Sequence, residues 1–313
     1  MEKFERFIGI DWSGAGGEND RVKLRVVEAG EGLEGPRSVS PGVRSTTRNW
    51  KRAELREFLR EEVFRSGGRR TIVGIDAAMG YPVGTAEAVF GADGWRSMVK
   101  RLGAAVRDRK HGDLKDVIDE FNDGHVDDGG VPFFYRGSDK EERSWYRDDQ
   151  TSHGFFTAHG VGYYRMIDML IPGAISVFYT GPGPMVAYHT MTCLRMLDEL
   201  LVVRDDSDEL DFGVWVHEED WRRRRHLVVE AYPAVFPEPT TSRESNSNDY
   251  IDALKIAEWM WKGSRDEKLR SFLDIDQDAP RGMRRIIGEE GWVLGVEPPR
   301  ECPKWIQRWV GSR

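Results

Sequence analysis

Ile72-Val73-Gly74-Ile75-Asp76-Ala77-Ala78-Met79-Gly80 repeats in kind a stretch near the start of the chain, Phe7-Ile8-Gly9-Ile10-Asp11-Trp12-Ser13-Gly14. Each is an apolar, β-branched run that ends in Ile-Asp and then a small or Gly-containing turn. It reads as a buried strand delivering a carboxylate at its carboxyl end. Side chains alternate along a strand, so Gly9 shares a face with Asp11 and Gly74 shares one with Asp76, which places each acid beside a gap. In open α/β sheets ligands bind outside the carboxyl ends of the strands. Two such acids on neighbouring strands therefore flank one crevice.

The elements around these stretches predict a mixed sheet. Phe4 to Asp11 is the first strand, followed by a flexible turn at Gly14-Ala15-Gly16-Gly17. Val22 to Glu28 and Arg37 to Val43 read as the second and third strands. A helix from about Trp50 to Arg65 ends at Gly67-Gly68, and Ile72 to Asp76 follows. Hairpin neighbours are antiparallel and a helical crossover favours a parallel return, so the class is α/β with a mixed sheet flanked by helices.

From residue 85 to 164 the pattern is less regular. Trp95 to Arg107 and Leu114 to Phe121 suit amphipathic helices, and Asp123 to Asp149 has no clean period, so the stretch reads as an insertion or lid. Pro182-Gly183-Pro184 introduces a long apolar helix, Met185 to Val203, in which His189 reads as an ordinary helix histidine. Phe212 to Val216 and His226 to Tyr232 are strands, read as a hairpin across the arginine run Arg222 to Arg225. Glu230 stands just before Pro233, which stops the second of them. Asp249 to Lys262 is a helix preceded by Asn and Ser residues suited to capping it. A short helix near Asp266 to Leu273 follows, and a Trp- and Pro-rich tail from Gly291 to Arg313 is expected to pack over the sheet edge.

Composition narrows the class. With 39% hydrophobic and 32% charged residues over 313 positions, the chain is expected to be globular. No apolar run approaches the roughly 20 residues that span a bilayer. Met1 to Phe7 is charged with no hydrophobic signal core after it, so a cytoplasmic protein is expected. Cys193 and Cys302 have no partner at ligand spacing, which argues against a disulfide framework or a zinc site. The net charge of -8 opposes general affinity for nucleic acid, although Arg69-Arg70 and Arg222 to Arg225 leave room for a local basic face.

The helix starting at Asp249 is the third informative stretch. Residues three and four apart share a face, so Asp249, Asp252, Ala253, Ile256 and Met260 form one stripe. The rest of that stripe is small or apolar, which turns Asp252 toward the sheet, where an unpaired carboxylate is costly. Asp249 alone is also what a helix dipole favours in a first turn. Together with Asp11 and Asp76, the helix acids make a set of four. Oxygen ligands without His or Cys select hard cations, Mg²⁺ or Mn²⁺. Two such ions roughly 3.5 to 4 Å apart form the clamp used in phosphodiester hydrolysis.

These stretches resemble the ribonuclease H-like superfamily, and within it a predicted-nuclease family, domain of unknown function 429. The matching residues are Gly9-Ile10-Asp11-Trp12-Ser13-Gly14-Ala15, Gly74 to Pro82, Glu230-Ala231-Tyr232-Pro233 and Asp249-Tyr250-Ile251-Asp252-Ala253-Leu254. The resemblance implies a ribonuclease H-like domain with a five-stranded mixed sheet; with the pattern read above, the expectation is a single domain over 1–313, with a mostly helical or irregular insertion or lid at 85–164 and an extension at 264–313 packed on the core. It implies that Asp11 is the first-strand metal ligand, Asp76 the acid ending the fourth strand, and Asp252 the acid of the last helix. The Asp249-x-x-Asp252 spacing is similar to that of the Holliday-junction resolvase branch. Glu54, Glu57, Glu61 and Glu62 offer no match to the helix glutamate of ribonuclease H itself. Glu230 has two readings, a further metal ligand or a strand-end residue bonded to backbone.

The expectation is thus a metal-dependent nuclease acting on DNA or RNA, with Asp11, Asp76, Asp249 and Asp252 as catalytic residues. Two other classes fit the same chain. An actin-like ATPase or sugar kinase would use Asp11-Trp12-Ser13-Gly14 as a phosphate loop, and no second glycine-rich adenosine loop is present to support it. A non-catalytic binding protein would keep the acids as relics and use its 11 Trp residues as a surface.

Overall fold

The computed structural model describes residues 3–41, 49–107, 114–126, 130–134, 149–181, 185–241 and 247–301. A six-stranded sheet, with strands β1 (Arg6–Asp11), β2 (Arg25–Gly30), β3 (Arg37–Val39), β4 (Thr71–Ile75), β5 (Phe212–Val214) and β6 (His226–Glu230), runs in the order β3-β2-β1-β4-β6-β5. β1 pairs antiparallel with β2, and β2 with β3. β1 pairs parallel with β4, β4 with β6, and β6 with β5.

Two expectations are corrected here. The sheet has six strands where five are expected, because β5 adds an edge. β5 and β6 are also parallel, not a hairpin. Their connection, Trp215 to Arg225, has about the dozen residues that a parallel return needs. It climbs back through a 3₁₀ turn at Trp221–Arg223 with Trp221 buried, so that Phe212 lies beside His226. Gly213 permits this, since a Cβ there would lie 2.8 Å from the Trp221 backbone.

Helices cover both faces. α1 (Arg52–Phe58) continues into a π-helical turn, Leu59–Val63, before β4. α2 (Thr85–Ala88), α3 (Trp95–Arg107), α4 (Leu114–Asp123), α5 (Asp149–His159), α6 (Met166–Leu170) and α7 (Val186–Asp206) follow. After β6 come α8 (Asn248–Gly263), α9 (Lys268–Leu273), α10 (Ile275–Asp278) and α11 (Arg281–Glu290). Ile8, Ile10, Val73, Ile75 and Val228 point to one core, shared with α1, α3 and α7. Phe7, Val27, Ile72, Val229 and Ala231 point to a second, shared with α8, α9 and α11. The period-2 alternation of the strands is thus resolved into two cores, one on each face of the sheet.

Part of the stretch 85–164 joins the core. α3 packs on α7, where the fully buried Asp198 takes Arg107 at 2.6 Å, and Leu102 and Val106 join the first core. Much of Asp123 to Asp149, like Val43, Pro182-Gly183-Pro184, Cys302 and the end of the tail, lies outside the described residues. The tail packs by its first residues against the end of β6. Leu294 donates its N–H to Glu230 O at 2.9 Å, and Trp292, Val293 and Leu294 are buried. Among the described residues no helix is long and apolar enough to cross a membrane.

Candidate functional site

The parity of β1 and β4 decides where the acids fall. Gly9 and Asp11, like Gly74 and Asp76, face α8, and the gaps left by the glycines are filled by that helix. A Cβ on Gly9 would come within 2.1 Å of Ala253 O, and one on Gly74 within 2.5 Å of Ile256 Cγ2. Missing side chains thus let α8 lie directly on the strands. Ser247 caps the helix by accepting the Tyr250 N–H at 3.3 Å, and the first turns then bring Asp249 and Asp252 to the carboxyl ends of β1 and β4.

The electrostatics register this gathering. Asp11 is pushed up to about 9, first by burial and then by the charges of Asp76, Asp249 and Asp252, with Arg25 opposing. Asp76 is pushed up to about 8 by burial, Asp252 and Glu230. Asp252 is also raised, by burial, while Lys255 at 3.9 Å opposes and Asp249 adds to the shift. Carboxyl groups crowded in this way stay protonated near neutral pH unless a cation joins them. Among the described residues, no group of three or more His, Cys, Asp or Glu side chains is arranged to hold a metal ion as placed. The donor set is nevertheless all oxygen, which suits a hard cation, and among the described residues no hydrogen bond offsets the shifts of Asp11 and Asp76.

Glu230 stands apart from this set. Its strand pairs Ile75 with Glu230, one residue before Asp76, so its side chain leaves the opposite face of the sheet. Both of its oxygens are taken. Arg165 donates to Oε1 and Oε2 at 2.7 Å each, and Met79 N–H reaches Oε2 at 2.9 Å. The metal-ligand reading of Glu230 therefore gives way to the strand-end reading, in which it bonds to backbone and to a buried guanidinium.

Arg165, Asp168 and Glu290 complete a buried polar cluster that the sequence did not suggest. Arg165 also donates to Asp168 at 2.8 and 3.1 Å. Glu290 accepts the N–H groups of Val83 at 2.9 Å and Met166 at 2.6 Å, and burial pushes it up to about 7 against those bonds. The cluster sews α6 and the end of α11 to the tips of β4 and β6. Nothing in the stretch Val161-Gly162 to Asp168 has a period or motif that marks it; only its partners do, and they are distant in sequence.

The loop after Asp11 is held from two sides. Buried Arg52 donates to Ser13 O, Ala15 O and Gly16 O at 2.9, 2.8 and 2.5 Å. On the other side Gly14 touches α7 so closely that a Cβ would lie 2.6 Å from the His189 ring and backbone. Trp12 Nε1 donates to Thr192 Oγ1 of the same helix at 3.0 Å. His189 is driven down to about 4 by burial and by Arg52, so it is neutral near pH 7.

His189 also lines a cavity of about 230 Å³ at the carboxyl edge of the sheet, together with Asp76, Arg165, Asp168 and Tyr232. Three side chains of the arginine run read as a candidate basic face have partners within the protein. Arg222 stacks on Trp221, Arg224 pairs with Asp220 at 2.7 Å, and Arg225 donates to Gly68 O. Arg69 likewise donates to Glu5 O and Glu31 O.

The fold and site define an α/β chain with acids gathered at one sheet edge. No family model, curated protein or solved structure matches it.

Proposed function

We propose that this chain is a divalent-metal-dependent nuclease of the ribonuclease H-like type, in which Asp11, Asp76, Asp249 and Asp252 hold Mg²⁺ or Mn²⁺ and the substrate is DNA or RNA. The observation that carries the reading is the gathering of these acids in one buried place: burial first, and then the charges of Asp76, Asp249 and Asp252, push Asp11 up to about 9, and burial, with Asp252 and Glu230, pushes Asp76 up to about 8. Such an arrangement is costly without a cation and useful with one. The strand order β3-β2-β1-β4, antiparallel twice and then parallel, supports the resemblance, as does an acid-bearing helix laid on β1.

When bound, the metal would supply an activated water and charge stabilisation at the leaving oxygen. The protein's own parts have separate tasks. Asp11 and Asp76 present oxygens from rigid strand ends, while Asp249 and Asp252 approach from the capped turn of α8. Arg52 fixes the loop that follows Asp11. Arg165 holds both oxygens of Glu230, so this fifth carboxylate is engaged with a guanidinium and not free to act as a ligand.

The test is an Mn²⁺-dependent cleavage assay on single-stranded, duplex and branched oligonucleotides of DNA and RNA. Wild type should cleave at least one of them, and Asp11→Asn and Asp252→Asn should each abolish cleavage with the fold intact. Wild type inactive on the whole panel, or Asn variants as active as wild type, would sink the catalytic assignment.

A further inference from the structure

The cavity beside Asp76 is the feature that the metal chemistry leaves unused. Its volume, about 230 Å³, is below the roughly 300 to 1,000 Å³ usual for drug-sized ligands, so it suits a single ring system. Its walls are mixed in the way a base requires. Ile171, Ala174, Ile175 and Val177 give apolar surface, and the rings of Tyr232 and His189 give π faces and hydrogen-bonding edges. Arg165, Asp168 and Glu230 also line it, with the one guanidinium paired to both carboxylates, so these groups are already engaged with one another.

The approach to this cavity is apolar as well. Met169, Leu170 and Ile175 are 49%, 38% and 37% exposed, three of only five large hydrophobic residues so exposed among the described residues. Ile175 is itself a wall of the cavity, and Met169 and Leu170 end the helix that leads into Ile171. Ile175 thus exposes apolar surface on the cavity wall itself, and Met169 and Leu170 extend it in the residues just before the wall residue Ile171.

We infer that this cavity receives one unpaired base of the substrate, next to the phosphate held at the acids, so that the substrate is a nucleic acid with an unpaired residue at the cleavage site. The inference rests on the nuclease reading for the identity of the substrate and deepens it. Asp76 belongs to both places, lining the cavity and facing Asp252. A base in continuous duplex cannot enter a cavity of this size without leaving its stack, whereas a base in a single strand, bulge or junction enters without that cost.

The experiment uses an oligonucleotide carrying one 2-aminopurine, single-stranded or annealed to its complement, titrated with the full chain in EDTA while fluorescence is followed. Wild type should give a saturable change with the single strand and none with the duplex. Ala174→Trp and Ile175→Trp each fill the cavity, and each should weaken the single-strand response about tenfold or more, the scale of one stacked base. Ile175 is exposed, so Ile175→Trp keeps the test open if Ala174→Trp fails to fold. Calorimetric titration with Mn²⁺ should be unchanged in both. Tryptophan variants that respond like wild type, a duplex that responds like the single strand, or no response at all would overturn the inference. Should wild type respond as expected yet cleave nothing with Mn²⁺, the nuclease reading falls and the base-binding cavity stands. Should the tryptophan variants cleave single strands at the wild-type rate, the nuclease reading stands and the cavity assignment falls.

Discussion

Replacing Asp11 by Asn should stabilise the metal-free protein. A carboxyl raised from 3.8 to about 9 binds its proton in the folded chain over a range where the unfolded chain has released it. Stability is therefore lost as pH rises through that window. At about 1.4 kcal/mol per pH unit, the cost at pH 7 has an upper bound of about 4 kcal/mol. Asp11 is only partly buried and titrates together with Asp76, which brings the expected value down to about 2 kcal/mol. Asn keeps the shape and has no such proton to lose. In EDTA at pH 8, Asp11→Asn should melt about 4 °C or more above wild type, at roughly 2 °C per kcal/mol for a chain of this size. The gap should narrow toward pH 5. Saturating Mn²⁺ should reverse the order, because only wild type gains binding free energy, about 3 kcal/mol at a hundredfold excess over Kd. Differential scanning calorimetry at pH 5 and 8, with EDTA or Mn²⁺, reads all four conditions. A variant no more stable than wild type at pH 8 in EDTA would mean that Asp11 is already compensated within the protein, and the case for a cation there would be lost.

Arg165→Ala should destabilise the fold by about 3 to 5 kcal/mol, because it strands buried Glu230 and Asp168 without their shared partner; chemical denaturation at pH 7 measures this. Gly9→Ala places a methyl 2.1 Å from Ala253 O, so α8 must lift from β1. A loss of about 1 to 3 kcal/mol is expected from overpacking, with weaker Mn²⁺ binding by calorimetry as Asp252 moves from Asp11. Arg52→Lys keeps the charge but cannot satisfy three carbonyls with one ammonium. Its kcat for oligonucleotide cleavage should fall about tenfold, with the melting temperature changed by only a few degrees.

The parts of this molecule that were legible in the sequence are those encoded locally. The two Ile-Asp strand ends, the Asn- and Ser-led start of α8 and the stripe carrying Asp252 all follow from period and capping, and the structure draws those acids into mutual electrostatic reach. The direction of β5 was not legible, because a strand's composition does not state which way its neighbour runs. Glu230 misled for a subtler reason. Its motif resembles the other strand ends, but register offsets it by one residue from Asp76, and one residue reverses the face. Arg165 and Glu290 left no local trace at all, since Arg165 finds Glu230 65 positions away and Glu290 finds the N–H groups of Met166 and Val83 124 and 207 positions away. His189 reads as an ordinary helix residue until Gly14 is seen pressed against it.

The bonds from residues 290 to 294 back to the middle of the chain bear on how the protein is made. All four acids have been synthesised once α8 is complete, yet Glu290 still has to cap Met166 and Val83, and Leu294 has to bond Glu230. Translation runs from the amino end, so a nascent polypeptide carries every acidic group well before it can finish the wall beside them. That wall is completed only with α11, the last helix among the described residues, and a message truncated after α8 yields the acids without the wall beside them.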